Sequence, residues 1–296
     1  MNRYSEIKTT LKSKFYSKYS KLWRLRSRVK YRNTSFRVSA KEFLSENQEG
    51  MFFVLGTGRS GTQLISDLLD NSGQTLVCHE PNFMDDVGLM PDLRSDDSLM
   101  LDYWRNYRSY EVYSRWEQSG KKIYGEVNGT IRYHAGAISH LYPNAPIFLL
   151  ARDPRGTIRS VMPWSFYLAD STGAYNLEPL AGDPWKKEWG NMDRFAKICW
   201  SVMDTYRYLL NVIPESRRLR LEDIVTDYSI VKTRLFDVLG VDITEQVWRD
   251  IVDKPSRNKS KSYGFPHHSE WNDTQKDTYQ KICGPIATKL GYAEEW

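Results

Sequence analysis

Met51-Phe-Phe-Val-Leu-Gly-Thr-Gly-Arg-Ser-Gly-Thr-Gln-Leu-Ile65 decides the fold. Met51 to Leu55 is a short apolar run ending at glycine, the form of a strand buried on both faces of a parallel sheet. Leu64, Ile65, Leu68 and Leu69 recur at helical spacing, and Ser72-Gly73 closes that helix. Between strand and helix lies Gly56-Thr-Gly-Arg-Ser-Gly-Thr-Gln63. Glycines let successive backbone N–H groups turn toward one anion. The unpaired N–H groups and positive dipole end of the following helix complete a cradle. Arg59 adds a guanidinium fork, and Ser60 and Thr62 add hydroxyl donors.

The Gly56–Gly61 spacing matches the start of the nucleoside-triphosphate loop G-x-x-x-x-G-K-[ST]. The next two positions depart from it: Thr62 replaces the phosphate-binding lysine and Gln63 the magnesium-binding hydroxyl. A kinase would lack both its metal ligand and its γ-phosphate lysine. The loop is therefore expected to hold a nucleotide without a metal. Gly58, Arg59, Ser60, Gly61, Thr62 and Gln63 are its candidate contacts.

Outward from this segment, strands are expected at 75–78, 122–127, 146–151 and 217–221. Helices are expected at 134–141, from Thr157 to a break at Pro163, and at 195–213. Strands alternating with helices predict a three-layer α/β/α domain around a mainly parallel sheet of about five strands. Residues 43–296 form that one domain, with insertions on the acceptor side near 81–120 and 163–195. The fourth strand runs into Arg152-Asp-Pro-Arg-Gly-Thr-Ile-Arg-Ser160. Ligands of open α/β sheets sit beyond the carboxyl ends of strands, so Arg152 and Ser160 are candidates for a second anion site at the same edge.

Residues 1–42 form a basic arm. Residues 1–37 hold 12 Lys/Arg and one acid, Glu6, giving +11 within a net charge of +5. Tyr4, Ile7, Leu11, Phe15, Leu22, Leu25 and Val29 fall on one helical stripe. Two readings stay open, packing on the body or a partner chain, and lying on an anionic membrane surface. No recognition module follows the arm, so nucleic acid is not an expected partner. No apolar run approaches the ~20 residues of a spanning helix, and the N-terminus lacks a secretory pattern. A cytoplasmic location, peripheral at a membrane through residues 1–37, is the expectation. The sequence leaves the oligomeric state open. Cys78, Cys199 and Cys283 have the spacing of neither a disulfide framework nor a zinc cluster.

These residues resemble the sulfotransferases that use 3′-phosphoadenosine-5′-phosphosulfate (PAPS), over roughly Phe52 to Tyr292. The resemblance rests on Arg59-Ser-Gly-Thr62, the Arg152/Ser160 pair and Leu219-Arg-Leu-Glu-Asp-Ile-Val-Thr-Asp227. The C-terminal segment, with Trp271, Lys281-Ile-Cys-Gly284 and Leu290-Gly-Tyr292, is similar to bacterial, tyrosylprotein- and glycan-modifying members. It implies that the first motif binds the 5′-phosphosulfate and that Arg152 and Ser160 hold the 3′-phosphate. It also implies Glu80 as catalytic base, 21 residues after Arg59, with Arg59 stabilising developing charge; His79 is the rival base. Because side chains alternate along a strand, only one of His79 and Glu80 is expected to face the site. The implied reaction is sulfuryl transfer to a hydroxyl of a glycan, glycolipid or small molecule, with carbohydrate or glycolipid favoured and no metal.

Three departures from the family pattern stand out. Val127 occupies the position of a family lysine, whose role Arg59 alone, Arg132 or Lys261 could fill. Leu221 replaces a tyrosine, and the C-terminal phosphate loop is matched only loosely at 257–264. Trp164, Phe166, Tyr167, Tyr175, Trp185, Trp189 and Trp200 form either an acceptor surface or core. Two other function classes remain open: a P-loop nucleotide kinase-like enzyme, and a non-catalytic nucleotide- or glycan-binding protein.

Overall fold

The computed structural model describes residues 23–164, 177–254 and 264–292. Five strands, β1 (Met51–Gly56), β2 (Thr75–His79), β3 (Ile123–Asn128), β4 (Ile147–Ala151) and β5 (Arg218–Arg220), form one sheet in the order β2-β3-β1-β4-β5. Every pairing is parallel, with Phe53 opposite both Glu126 and Ile147. The expected architecture is present, with strand limits within one or two residues of the sequence reading.

Burial on both faces explains the continuous apolar strands. On β1, Met51, Phe53 and Leu55 enter one core, and Phe52 and Val54 enter the other. Phe52 packs against Gly125, where an added Cβ would sit 1.9 Å from its ring. The glycine is thus a packing requirement between neighbouring strands.

Helices α1 (Trp23–Lys30) and α2 (Thr34–Glu46) precede the sheet. The Asn33 side chain caps α2 by accepting from Ser35 N at 2.9 Å. Helix α3 (Thr62–Asp70) follows β1, and α4 (Phe83–Ser95), α5 (Asp97–Tyr103) and α6 (Ser109–Ser119) fill the expected insertion between β2 and β3. Next come α7 (Ala135–Leu141) before β4, then α8 (Pro154–Val161) and α9 (Arg194–Val212). Asp153 caps α8 through Arg155 N at 2.8 Å, with Pro154 in its first turn. The chain closes with α10 (Leu221–Thr226), α11 (Glu245–Val252) and α12 (Asp273–Lys289). A capping box between Asn272 and Gln275 starts α12.

The described part of the arm packs on the body. Trp23 meets Tyr103 edge-on at 5.3 Å, Phe36 meets Tyr113 at 5.2 Å, and Phe43 meets Trp116 at 5.0 Å. Helix α2 runs unbroken through positions 42 and 43, where the sequence reading divided arm from body. The stripe residues Tyr4 to Leu22 lie outside the described residues. No helix among the described residues is long and apolar enough to cross a membrane.

One buried ionic cluster lies under β3. Arg108 donates to Glu126 Oε2 at 2.6 Å and approaches Asp86 Oδ2 at 3.4 Å, while Tyr103 donates to Asp86 Oδ1 at 2.9 Å. All three charged side chains are fully buried. Two carboxylates thus share one guanidinium. Burial, only partly offset by Arg108, pushes the Asp86 carboxyl up to about 6.

Candidate active site

The loop after β1 has the shape its glycines imply. A Cβ on Gly56 would lie 2.6 Å from Leu150 O and 2.7 Å from Ser60 Oγ, so the chain turns hard against β4 there. Arg59 and Gly61 take left-handed φ angles of 73° and 98°. Gly61 is constrained twice, because a Cβ would also lie 2.5 Å from Leu221 Cδ1. Ser60 Oγ donates to Thr57 O at 2.7 Å and closes the turn. Gly61, as N-cap of α3, offers no side-chain acceptor to the helix's first N–H groups. Those groups are left as donors for an anion, as at other helix N-termini that bind phosphate.

The second motif meets the first directly. Arg59 Nε donates to Ser160 Oγ at 3.0 Å, and Arg152 Nη1 donates to Arg59 O at 2.9 Å. The Arg152 guanidinium also lies above the first turn of α8, where a Cβ on Gly156 would be 3.4 Å from Nε. Trp164 covers Arg59, with 5.4 Å between guanidinium carbon and ring centroid. Two arginines, a serine hydroxyl and a helix N-terminus therefore converge at one end of β1 and β4. An anionic ligand with two separated phosphate groups suits this donor set.

Opposite the loop stand His79 and Glu80. His79 Nε2 lies 3.0 Å from Thr62 Oγ1, and Glu80 Oε1 accepts from Gly129 N at 3.3 Å. The structure differs here from the alternation argument. Glu80 has a φ of 47°, so the strand has already ended and both side chains turn to the loop. A Cβ on Gly129 would come within 3.1 Å of Glu80 Oε1 and 3.4 Å of Gly58 N. That glycine keeps the space between carboxylate and loop free. The candidate base and the candidate phosphate cradle thus face each other across one residue lacking a side chain.

Gln63 Nε2 binds Asp67 Oδ1 at 2.9 Å along α3. Val127 is fully buried in the core cluster that holds Phe52, Val54 and Ile65. Arg132 is buried, donating to Gly129 O at 2.8 Å and to Thr205 Oγ1 at 3.1 Å. Lys261, most of the 257–264 loop, Phe166, Tyr167 and Tyr175 lie outside the described residues. Trp189 and Trp200 are buried and meet at 4.9 Å, so these two belong to core. Among the described residues, no group of three or more His, Cys, Asp or Glu could hold a metal ion.

Sequence reasoning missed Tyr206. This fully buried α9 residue accepts from Arg152 N at 3.1 Å and lies 3.3 Å from Thr57 Oγ1. Its hydroxyl ties the turn after β1 to the turn after β4. In sequence it is one more apolar position of a long amphipathic helix, with no local signal of a polar task. Burial pushes the phenol up, so it stays protonated and can donate.

The sheet order, the loop after its central strand and the arginine–serine pair beyond β4 define a class, and the comparisons name it. The profile of the sulfotransferase family matches residues 52–245, and the chain belongs to that family. No functionally curated protein matches it. Among solved structures, it is similar to sulfotransferase STF9 from Mycobacterium avium, with 13% identity, a TM-score of 0.47, and 86% of this chain and 82% of that one covered. A sulfotransferase from Alicyclobacillus acidocaldarius gives 13%, 0.44, 82% and 96%. The sulfotransferase domain of the Synechococcus PCC 7002 olefin synthase gives 15%, 0.41, 82% and 95%.

Proposed function

We propose that the chain transfers the sulfuryl group of PAPS to a hydroxyl of a carbohydrate or glycolipid acceptor. The observation that carries this reading is the contact of Arg59 with both Ser160 and Arg152. It joins a 5′-phosphosulfate cradle and a 3′-phosphate clamp at one sheet edge. PAPS supplies an activated sulfur. In the reaction the acceptor oxygen forms the new S–O bond, the sulfur-to-phosphate bridge breaks, and adenosine 3′,5′-bisphosphate leaves. Arg59, Thr62 and the loop amides stabilise charge on the leaving and terminal oxygens. Glu80 takes the acceptor proton, being held by Gly129 N–H across from the loop. His79 then has a different task, fixing the Thr62 hydroxyl. Trp164, exposed beside Arg59, is the acceptor-side aromatic face, which suits a sugar ring.

Titration calorimetry with adenosine 3′,5′-bisphosphate against magnesium-ATP tests the donor. Binding of the first and not the second is expected, and the reverse would return the chain to the kinase-like class. Labelled PAPS offered with glycans, glycolipids and phenols tests the acceptor. Bisphosphate binding with no transfer to any of them would point to a non-catalytic binding protein.

A further inference from the structure

Helix α1 uses one face against the body. Trp23, Ser27 and Tyr31, spaced by four, are buried. Leu25 and Val29, also spaced by four, are 58% and 64% exposed. At 3.6 residues per turn both lie roughly 160° around the axis from Ser27. The outward pair belongs to the apolar stripe read from the sequence, so packing on the body leaves that stripe uncovered in the described helix. Arg24, Arg26 and Lys30 are drawn to Asp102, Asp85 and Glu111. Arg28 and Arg32 are exposed beside Leu25 and Val29.

We infer that this outward face docks on a bilayer containing anionic phospholipid. Charge selects the occupant. Residues 1–37 carry 12 basic residues and one acid, so packing this face on the same face of a second copy would set +11 against +11. A surface with anionic headgroups above acyl chains takes both the arginines and the apolar pair. The two readings of the arm therefore describe opposite faces of one helix. The helix that carries this face is also bonded to the segment that follows Glu80. Arg26 bridges Asp85 at 2.8 Å, and Asp85 lies in the first turn of α4, five residues after Glu80.

Co-sedimentation of the full chain with phosphatidylcholine vesicles, plain or containing about three-tenths phosphatidylglycerol, tests the inference independently of any transferase activity. The anionic vesicles are expected to bind at least ~10-fold more tightly. Leu25→Asp/Val29→Asp is expected to lose at least ~10-fold of that binding with unchanged circular dichroism. Should that variant misfold, Leu25→Ser/Val29→Ser serves the same comparison. Equal binding of variant and wild type, or no binding to either vesicle, overturns the inference. Retention on heparin or duplex DNA that matches the vesicle affinity and survives the double substitution would show charge-only polyanion binding, and overturns it too.

Discussion

Arg59 Nε stands 3.0 Å from Ser160 Oγ, so the turn after the central strand and the helix after its neighbour are joined directly. Arg152 completes the junction by holding the Arg59 carbonyl. In the proposed reaction each motif grips one anionic end of the donor, so damage to one is expected to appear mainly as weakened donor binding.

Arg152→Ala removes a charge-assisted contact typically worth ~1.5–3 kcal/mol. The KM for PAPS is expected to rise by about 10- to 100-fold, with kcat changed far less. Steady-state kinetics with PAPS varied checks this. An unchanged KM would remove Arg152 from the 3′-phosphate site.

Glu80→Gln keeps the side-chain shape and loses the base. A positioned general base contributes ~10²–10⁴-fold, so turnover is expected to fall by that factor. Affinity for adenosine 3′,5′-bisphosphate is expected to stay within about twofold, because in the proposed reaction Glu80 acts on the acceptor and not on the nucleotide. His79→Asn is expected to cost much less turnover. If the two effects came out reversed, the roles of the neighbours would have to be exchanged.

Tyr206→Phe keeps a buried ring and deletes the hydroxyl between Thr57 and Arg152. Leaving the Arg152 N–H without its acceptor costs ~1–3 kcal/mol. Bisphosphate affinity is expected to drop with the melting temperature. A normal affinity in a destabilised variant would mean that the hydroxyl supports the fold alone.

The Asp86 carboxyl gives a pH signature. Its folded pKa, about 6, lies above its value in an unfolded chain. The group therefore contributes most stability below about pH 4, and that contribution is lost as pH rises through about 6. Asp86→Asn carries no such loss. Thermal melts across this range are expected to show the variant gaining on wild type as pH rises. A gap independent of pH would show that Asp86 stays ionised throughout, held by Arg108.

Much of this was legible in the chain. The run from Met51 to Ile65 announces its strand, turn and helix because only glycines fit the close approaches at positions 56 and 61. Arg152 and Ser160 were legible by spacing. What was hidden depends on contacts between distant segments. Tyr206 looks like a core residue until Arg152 is seen beside it. Glu80 could be placed after a strand, but its left-handed turn, which brings His79 and Glu80 to the loop together, has no sequence mark. Leu25 and Val29 were read as a stripe, but periodicity cannot say which of a helix's faces meets the body.

The strand order has an evolutionary consequence. Central β1 and its neighbour β4 carry the two turns joined through Arg59, whereas the helical segment 83–119 connects the edge strand β2 to the inner strand β3. Substitutions in that segment outside Asp86, Tyr103 and Arg108 can reshape what lies near Glu80 without touching the hydrogen bonds that join Arg59 to Ser160 and Arg152. On the proposed reaction, such a scaffold lets descendants diversify their acceptors while the donor grip is inherited intact.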